Sequence, residues 1–532
     1  MKNYFYFLLP KILLLLIIGI LIGDKIIINE NFFILILSII FLLTLLIPIL
    51  SKHIKNKLLI NLLCVLIITF LGVALKINKN LIFINYEKII NTTNNFTFKI
   101  TSNYKETAKT YKYEAQIINK TKRYPKVILY FKKENHNFLE KGSIISTNSK
   151  IFPITNSDNI NFFNYKTYCF RNSIGYYCFL NDNDVISKDL SKTNFINLPN
   201  RIQKLLLKKL WRNNNNELYN KIAGAIVLGE NNLDKQTREY FSTSGTIHVL
   251  CVSGLHITLI YSVIYLLFSL INIKVFRKII NPILSLIVLW FYASITGFSP
   301  SVCRASFMIT FITLCKLLKR DSNSFLILCG AAFLMILINP NIIFNIGFKL
   351  SHLAVLGIIA SKPIADKADR LCKKLKNKYL KKLTTKFIQG VIISIFAQMF
   401  IVPILIYHFK TFSNYFIFGN IIAIPLASII LYIGFLLLLI PTSFLFDLLS
   451  KIFYFLISIL YQTALYINML PFSVSVFRNF SFIQMIIYAL IIYWFLSFIE
   501  KDFSFKRLKV FLISFNTIIF VAIGMNIITV FL

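Results

Sequence analysis

Residues Thr243 to His256, reading TSGTIHVLCVSGLH, set His248, Ser253, His256 and the glycines Gly245 and Gly254 against the start of a long apolar run. Polar or ionisable groups at membrane depth are costly unless they face a protein interior or a watery cavity, so such a cluster marks a pathway or a site. The plainer reading is a helix entrance whose side chains reach back to the surface. Glycines let the backbone leave helical geometry and turn N–H groups toward a phosphate. His248 and His256 stand about 12 Å apart along an ideal helix and roughly 80° apart around it. That is poor geometry for one metal unless the chain unwinds, and there is no His-x-x-x-His zincin pattern. No metal or cofactor site is expected. The histidines read as pore-lining donors able to titrate near neutral pH, with Ser253 as a hydroxyl donor.

Further along, Arg304 follows Pro300-Ser301, where a helix start favours anions and a guanidinium offers paired hydrogen bonds to phosphate. A headgroup anchor is the competing role. Lys349 and His352 lie one turn apart on one face and form either an anion contact or a snorkelling pair. Pro403, Tyr407 and His408, then Asn420 and Pro425, put helix breakers and polar groups into two adjacent apolar runs, as discontinuous transporter helices do, although prolines in spans are also common as mere kinks. Glu230, Asp234 and Glu239 suit helix capping or pairing with Lys235 and Arg238.

These groups need elements to hold them, and the composition says which kind. Of 532 residues 57% are hydrophobic and only 15% charged, with a mean hydropathy of +0.69. That describes a polytopic α-helical membrane protein. About thirteen spans are expected: 4–23, 32–50, 58–76, 249–270, 281–297, 302–318, 324–338, 346–361, 387–409, 415–438, 444–470, 481–498 and 510–531. The first reads as a span and not a removable signal, since no small-residue cleavage site follows it. The basic loops Lys52–Lys57, Lys274–Lys278, Lys316–Arg320, Lys362–Lys386 and Lys501–Lys509 fall on one side, the cytoplasm by the positive-inside rule, with the N-terminus beside them. The net charge of +37 permits an anionic substrate without establishing one, because an AT-rich coding sequence and topology both supply lysine.

Parity places residues 78–198 outside the cytoplasmic membrane. Runs at Asn95–Ser102, Lys112–Ile118, Lys126–Phe131, Ser143–Ile151 and Gly175–Leu180 read as strands, suggesting a small β-rich barrel of the OB type or, failing that, a sandwich. Tyr104, Tyr111, Tyr113, Tyr130 and Phe131 could stack on bases if they share a face; core packing is the other role. Cys169 and Cys178 flank Gly175 as two strands joined by a turn would, and a disulfide between them is open in an oxidising compartment. Pro199 to Arg212 is a basic amphipathic helix suited to membrane lipids. Residues 199–245 thus form an interfacial linker before a channel-like region, 246–532.

Residues Ala223 to Ile260, AGAIVLGENNLDKQTREYFSTSGTIHVLCVSGLHITLI, resemble the signature of the competence-protein (ComEC) family of DNA-uptake channels. GFSPSVCRASFM, NIGFKLSHLAVLGI and AQMFIVPILIYHFKTFSNYFIFGNIIAIPLAS, which contains Gln398, follow in the family's order. Lys349 departs from the family's usual glutamine. Many members also carry a C-terminal metallo-β-lactamase-like domain, whereas this chain reaches Leu532 in an apolar run without His-x-His-x-Asp-His, so nuclease activity is not expected. The resemblance implies translocation of single-stranded DNA across the bacterial cytoplasmic membrane during natural transformation. It also implies an external DNA receptor, a nuclease and a cytoplasmic helicase as partners; no phosphate-binding loop is present to supply ATP-driven force. The rival readings are a membrane enzyme acting on a lipid or cell-wall intermediate through His248, Ser253 and His256, and a small-anion transporter. Oligomeric state is not legible.

Overall fold

The computed structural model describes residues 2–26, 33–40, 42–44, 57–90, 96–102, 104–107, 109–118, 126–133, 139, 141–155, 164–181, 185–189, 198–230, 232–271, 273–372 and 378–501. The expected span 510–531 and all but the end residues of the loops Lys52–Lys57 and Lys501–Lys509 lie outside them. The chain divides into two compact units, Met1–Ile202 with Ala332–Asn345, and Gln203–Ala331 with Ile346–Leu532.

In the first unit, α1 (Lys2–Lys25) packs along α2 (Lys57–Ile90). The sequence Gly19-Ile20-Leu21-Ile22-Gly23 has the small-xxx-small spacing that lets membrane helices approach closely. A Cβ on Gly19 would collide with Thr69 O of α2, and one on Gly72 with Leu16 O of α1. Near the end of α1 this pair carries a buried charge cluster. Lys76, with 0% exposure, gives Nζ to Asp24 Oδ1 at 2.8 Å and to Asn341 Oδ1 at 2.7 Å. Asp24 Oδ2 accepts Arg171 Nη2 at 2.7 Å, and Asn341 Nδ2 donates to Arg171 O at 2.9 Å. Two cations thus share one carboxylate, and the Phe344 ring lies 3.8 Å from Arg171 Cζ and 5.2 Å from Lys76 Nζ.

The polar segment is a sheet, β1 (Phe96–Ile100), β2 (Lys105–Glu106), β3 (Thr110–Ile117), β4 (Lys126–Lys132), β5 (Ile144–Thr147), β6 (Phe152–Pro153), β7 (Ile174–Leu180) and β8 (Val185–Asp189). Its order is β6-β7-β4-β3-β1-β5-β8, with β2 paired to β3 and β4 parallel to β7. All five expected strands form, because their alternating apolar residues share one face; β1 reads buried, half-buried, buried along its length. β6 and β8 stand at the two ends of this pairing path, so no closed ring of strands forms among the described residues.

The cysteine expectation is corrected here. Between the two cysteines lies a helix, α3 (Tyr165–Arg171), followed by β7, in place of two strands and a turn. Cys178 points into the main core with Phe98, Tyr113, Leu129 and Phe131, while Cys169 packs on the other side with Ile128, Ile154 and Ile174. The sheet separates them and neither forms a disulfide. Burial pushes the Cys169 thiol above its ordinary range, which keeps it protonated and inert.

In the second unit, α4 (Leu198–Leu210) leads to α5 (Glu217–Leu228) and α6 (Lys235–Thr243). α5 departs from the interfacial expectation, since Ile222 through Leu228 are all buried. A helix apolar all round belongs inside, and α5 packs against α13 (Phe416–Leu439) and α14 (Phe444–Met469). The rest is α7 (Gly254–Ser269), α8 (Asn281–Ile295), α9 (Pro300–Leu317), α10 (Ser324–Ile338), α11 (Ile346–Cys372), α12 (Lys378–Phe409) and α15 (Phe482–Lys501). Eight described stretches across both units are long and apolar enough to cross a membrane, and Phe33–Thr44, Ser324–Ile338 and Phe482–Ile492 are shorter apolar helices. The eight long stretches and the three shorter helices all fall on expected spans.

Candidate functional site

α6 is started by Asp234, whose carboxylate accepts from the Thr237 amide and hydroxyl, both at 2.8 Å. Burial alone would raise this carboxyl, but the two hydrogen bonds outweigh it and hold the group below its ordinary value. After Ser244 the chain reverses at Gly245, φ 75°, where a side chain would press into the backbone of Phe416. A turn at Ile247–Val249 then delivers the chain to Ser253, the N-cap of α7.

That cap is a reciprocal pair. His256 N donates to Ser253 Oγ at 3.4 Å, and Ser253 N donates to His256 Nδ1 at 3.3 Å. Nδ1 is an acceptor here, so the neutral ring carries its proton on Nε2. His256 is 2% exposed, whereas His248 lies on the surface. Ser253 and His256 therefore shape the start of α7, with Ser253 half-buried and His256 buried.

The start of α7 meets Arg304. A Cβ on Gly254 would run into Arg304 Nη2, so glycine alone lets the guanidinium lie on the helix entrance. Arg304 is 7% exposed, gives Nε to Ser351 Oγ at 2.7 Å and meets Met308 Sδ through Nη1 at 3.8 Å. No carboxylate pairs with it among the described residues. Next along α11, His352 gives Nδ1–H to Phe348 O at 2.9 Å, and its Nε2 is buried without a partner. A buried guanidinium at a positive helix end, with no carboxylate paired to it among the described residues, favours negative charge beside it.

The competence-protein family profile matches residues 226–502. The chain belongs to that family. Over 205 residues it is 27% identical to ComE operon protein 3 of Bacillus subtilis (strain 168), covering 38% of this chain and 24% of that protein. Over 161 residues it is 30% identical to an uncharacterized protein of Aquifex aeolicus (strain VF5), covering 30% of this chain and 37% of that one. The chain thus spans well under half the length of the curated relatives it matches. No solved structure matches it.

All the expected channel residues fall inside the competence-family segment, but the structure gathers only some of them. Ser253, Gly254, His256, Arg304 and His352 meet where α7, α9 and α11 converge. Ser351, which holds Arg304, was legible only as part of the NIGFKLSHLAVLGI match. Lys349 is half-buried one turn before His352, and His408 lies within electrostatic reach of Lys349 and Lys410. Gln398 is half-buried on α12, and Asn420 is buried on α13 with Oδ1 unpartnered. The expected helix breaks do not occur: α12 runs through Pro403 and α13 through Pro425. A proline removes one helical hydrogen bond, a loss neighbouring helices absorb as a kink. Glu230 likewise forms no pair with Lys235 or Arg238. It tucks against Gly224 with Oε2 buried and unpartnered, and burial raises its carboxyl above the ordinary value against the pull of Lys221.

Proposed function

We propose that this competence-family protein conducts single-stranded DNA across the bacterial cytoplasmic membrane during natural transformation. The N-terminus lies in the cytoplasm and the β domain outside, where a DNA receptor and a nuclease hand over one strand; a cytoplasmic helicase draws it in. The observation that carries the reading is Arg304: within the family segment its buried guanidinium has no carboxylate partner among the described residues, and a passing phosphate diester could accept paired hydrogen bonds from it. Lys349 and Lys410, both within electrostatic reach of His408, add two further cations within the same segment.

The β domain supports the same reading through a partly different set of aromatic residues, of which only Tyr130 was among those first singled out. Tyr113 and Phe131 are buried in its core, with Tyr104 and Tyr111 packed against them. On the opposite face Tyr130, Tyr177, Phe179 and Phe152 form a chain of ring contacts 5.4–6.4 Å apart, with Phe179 58% exposed and Lys112 over Tyr130. Rings beside a cation suit unpaired bases in a partly open barrel of the OB type. The membrane-enzyme reading draws less support, because Ser253 Oγ accepts an amide and His256 accepts another, so the pair is not set as nucleophile and base.

The test is uptake of labelled donor DNA into the cytoplasm of cells carrying the intact chain, a deletion or Arg304→Met, with the purified variant melted in parallel. Uptake falls roughly ten- to a hundredfold in the point variant, the loss expected for a charge-assisted hydrogen bond of about 1.5–3 kcal/mol. Its melting temperature holds or rises, since an apolar side chain in place of an uncompensated buried charge is neutral or stabilising by about 1–4 kcal/mol. Unchanged entry in the deletion sinks the channel reading; a variant that fails to fold makes Arg304 a structural residue.

A further inference from the structure

A second basic feature lies away from Arg304, where the end of α7, the start of α8 and the end of α9 enclose a cavity of about 720 Å³. Four cations line it, Arg277 and Lys278 from one side and Lys316 and Lys319 from the other, and no carboxylate is among its lining residues. Its floor is hydroxylic: Tyr261 Oη and Thr313 Oγ1 lie 3.1 Å apart, and the Tyr265 ring sits 6.1 Å from that of Tyr261.

Two backbone irregularities deliver the cations. Arg277 and Lys278 sit in a π-helical turn, Phe276–Ile280, a wide turn that is rare and recurs at functional sites. Lys319 is held at φ 51°, a left-handed conformation that a lysine adopts only at a cost. Cations that merely mark a membrane surface spread apart into water. Here four line one cavity, so a multivalent oxyanion seated in it could meet several of them at once. The same cavity has an oily wall, with Leu266 65% and Ile279 49% exposed. A soluble anion gains nothing from that wall, whereas an amphiphile uses both halves.

We infer that this cavity binds the phosphate headgroup of an anionic phospholipid, its acyl chain lying along Leu266 and Ile279. The site rests on the membrane-spanning reading and not on passage of DNA, so failure of either proposal leaves the other standing. On the sidedness set by the basic loops it faces the cytoplasmic leaflet, where anionic headgroups attract such clusters.

The experiment uses the full chain purified in detergent, offered phosphatidylglycerol or phosphatidylcholine, with retained lipid counted by native mass spectrometry. Phosphatidylglycerol is retained in preference, and K316Q/K319Q lowers its affinity about fivefold per cation removed, while K316R/K319R keeps it. Equal retention of the two lipids overturns the inference. Displacement by millimolar inorganic phosphate reassigns the cavity to a free anion, and displacement by a thymidine oligonucleotide with the same variant sensitivity makes it part of a DNA route; both overturn the lipid assignment.

Discussion

Arg304 and Glu230 are two ionisable groups of the competence segment shaped by burial, one a base and the other an acid. Arg304 is a guanidinium and stays charged at any working pH, so on the proposed reading an incoming anion balances it. Glu230 has another way out, because burial raises its pKa and it can stay protonated. The linkage has a definite sign. Below pH 4.5, the ordinary value, folded and unfolded chains both hold this proton. Above it the unfolded chain releases the proton first, so this residue's contribution to stability falls with rising pH until the higher folded-state pKa is passed. Glu230→Gln does not titrate. Its melting temperature relative to wild type therefore climbs as pH is raised from 4 to 8, and a constant difference across that range would refute the buried-carboxyl account.

At the scale of elements, glycine and charge do the joining in the first unit. Gly19 and Gly72 bring α1 and α2 into backbone contact, and the Asp24–Lys76–Arg171–Asn341 cluster ties those helices to α3 and to the 340–344 turn. Removing one member of a buried ion pair costs about 3–5 kcal/mol, because the other charge is left buried alone. Asp24→Asn strands both Lys76 and Arg171 and should lower the melting temperature steeply. Asp24→Asn combined with Lys76→Met removes the fully buried cation as well and should recover part of the loss. A double variant no more stable than the single one would show that the cluster's charge balance is not what matters.

At the scale of the whole molecule, the proposed orientation follows from where cations sit between spans. In a variant whose native cysteines are replaced by serine, a cysteine at Lys150 in the β domain should react with a membrane-impermeant thiol reagent in intact cells. One at Lys319 should react only after the membrane is permeabilised. The reverse pattern would invert the topology, and with it the assigned leaflet of the phospholipid cavity.

Span positions, the five main strands and the family were legible in the chain itself, because hydrophobic length, period-two alternation and motifs such as Ser253-Gly254-Leu255-His256 are local properties of sequence. The pairing of side chains was not. Which aromatics share an open face depended on sheet register, which buried Tyr113 and Phe131 and left Phe179 out. Cys169 and Cys178 are nine positions apart yet separated by the sheet, since a helix and not a turn lies between them. Prolines marked breaks in the sequence that packing turned into continuous helices. Above all, that Arg304 lies on the entrance of α7, held by Ser351 and paired with no carboxylate among the described residues, joins residues 47 to 50 positions apart. Only tertiary packing decides whether a buried charge has a partner, because that is a fact about everything that surrounds it.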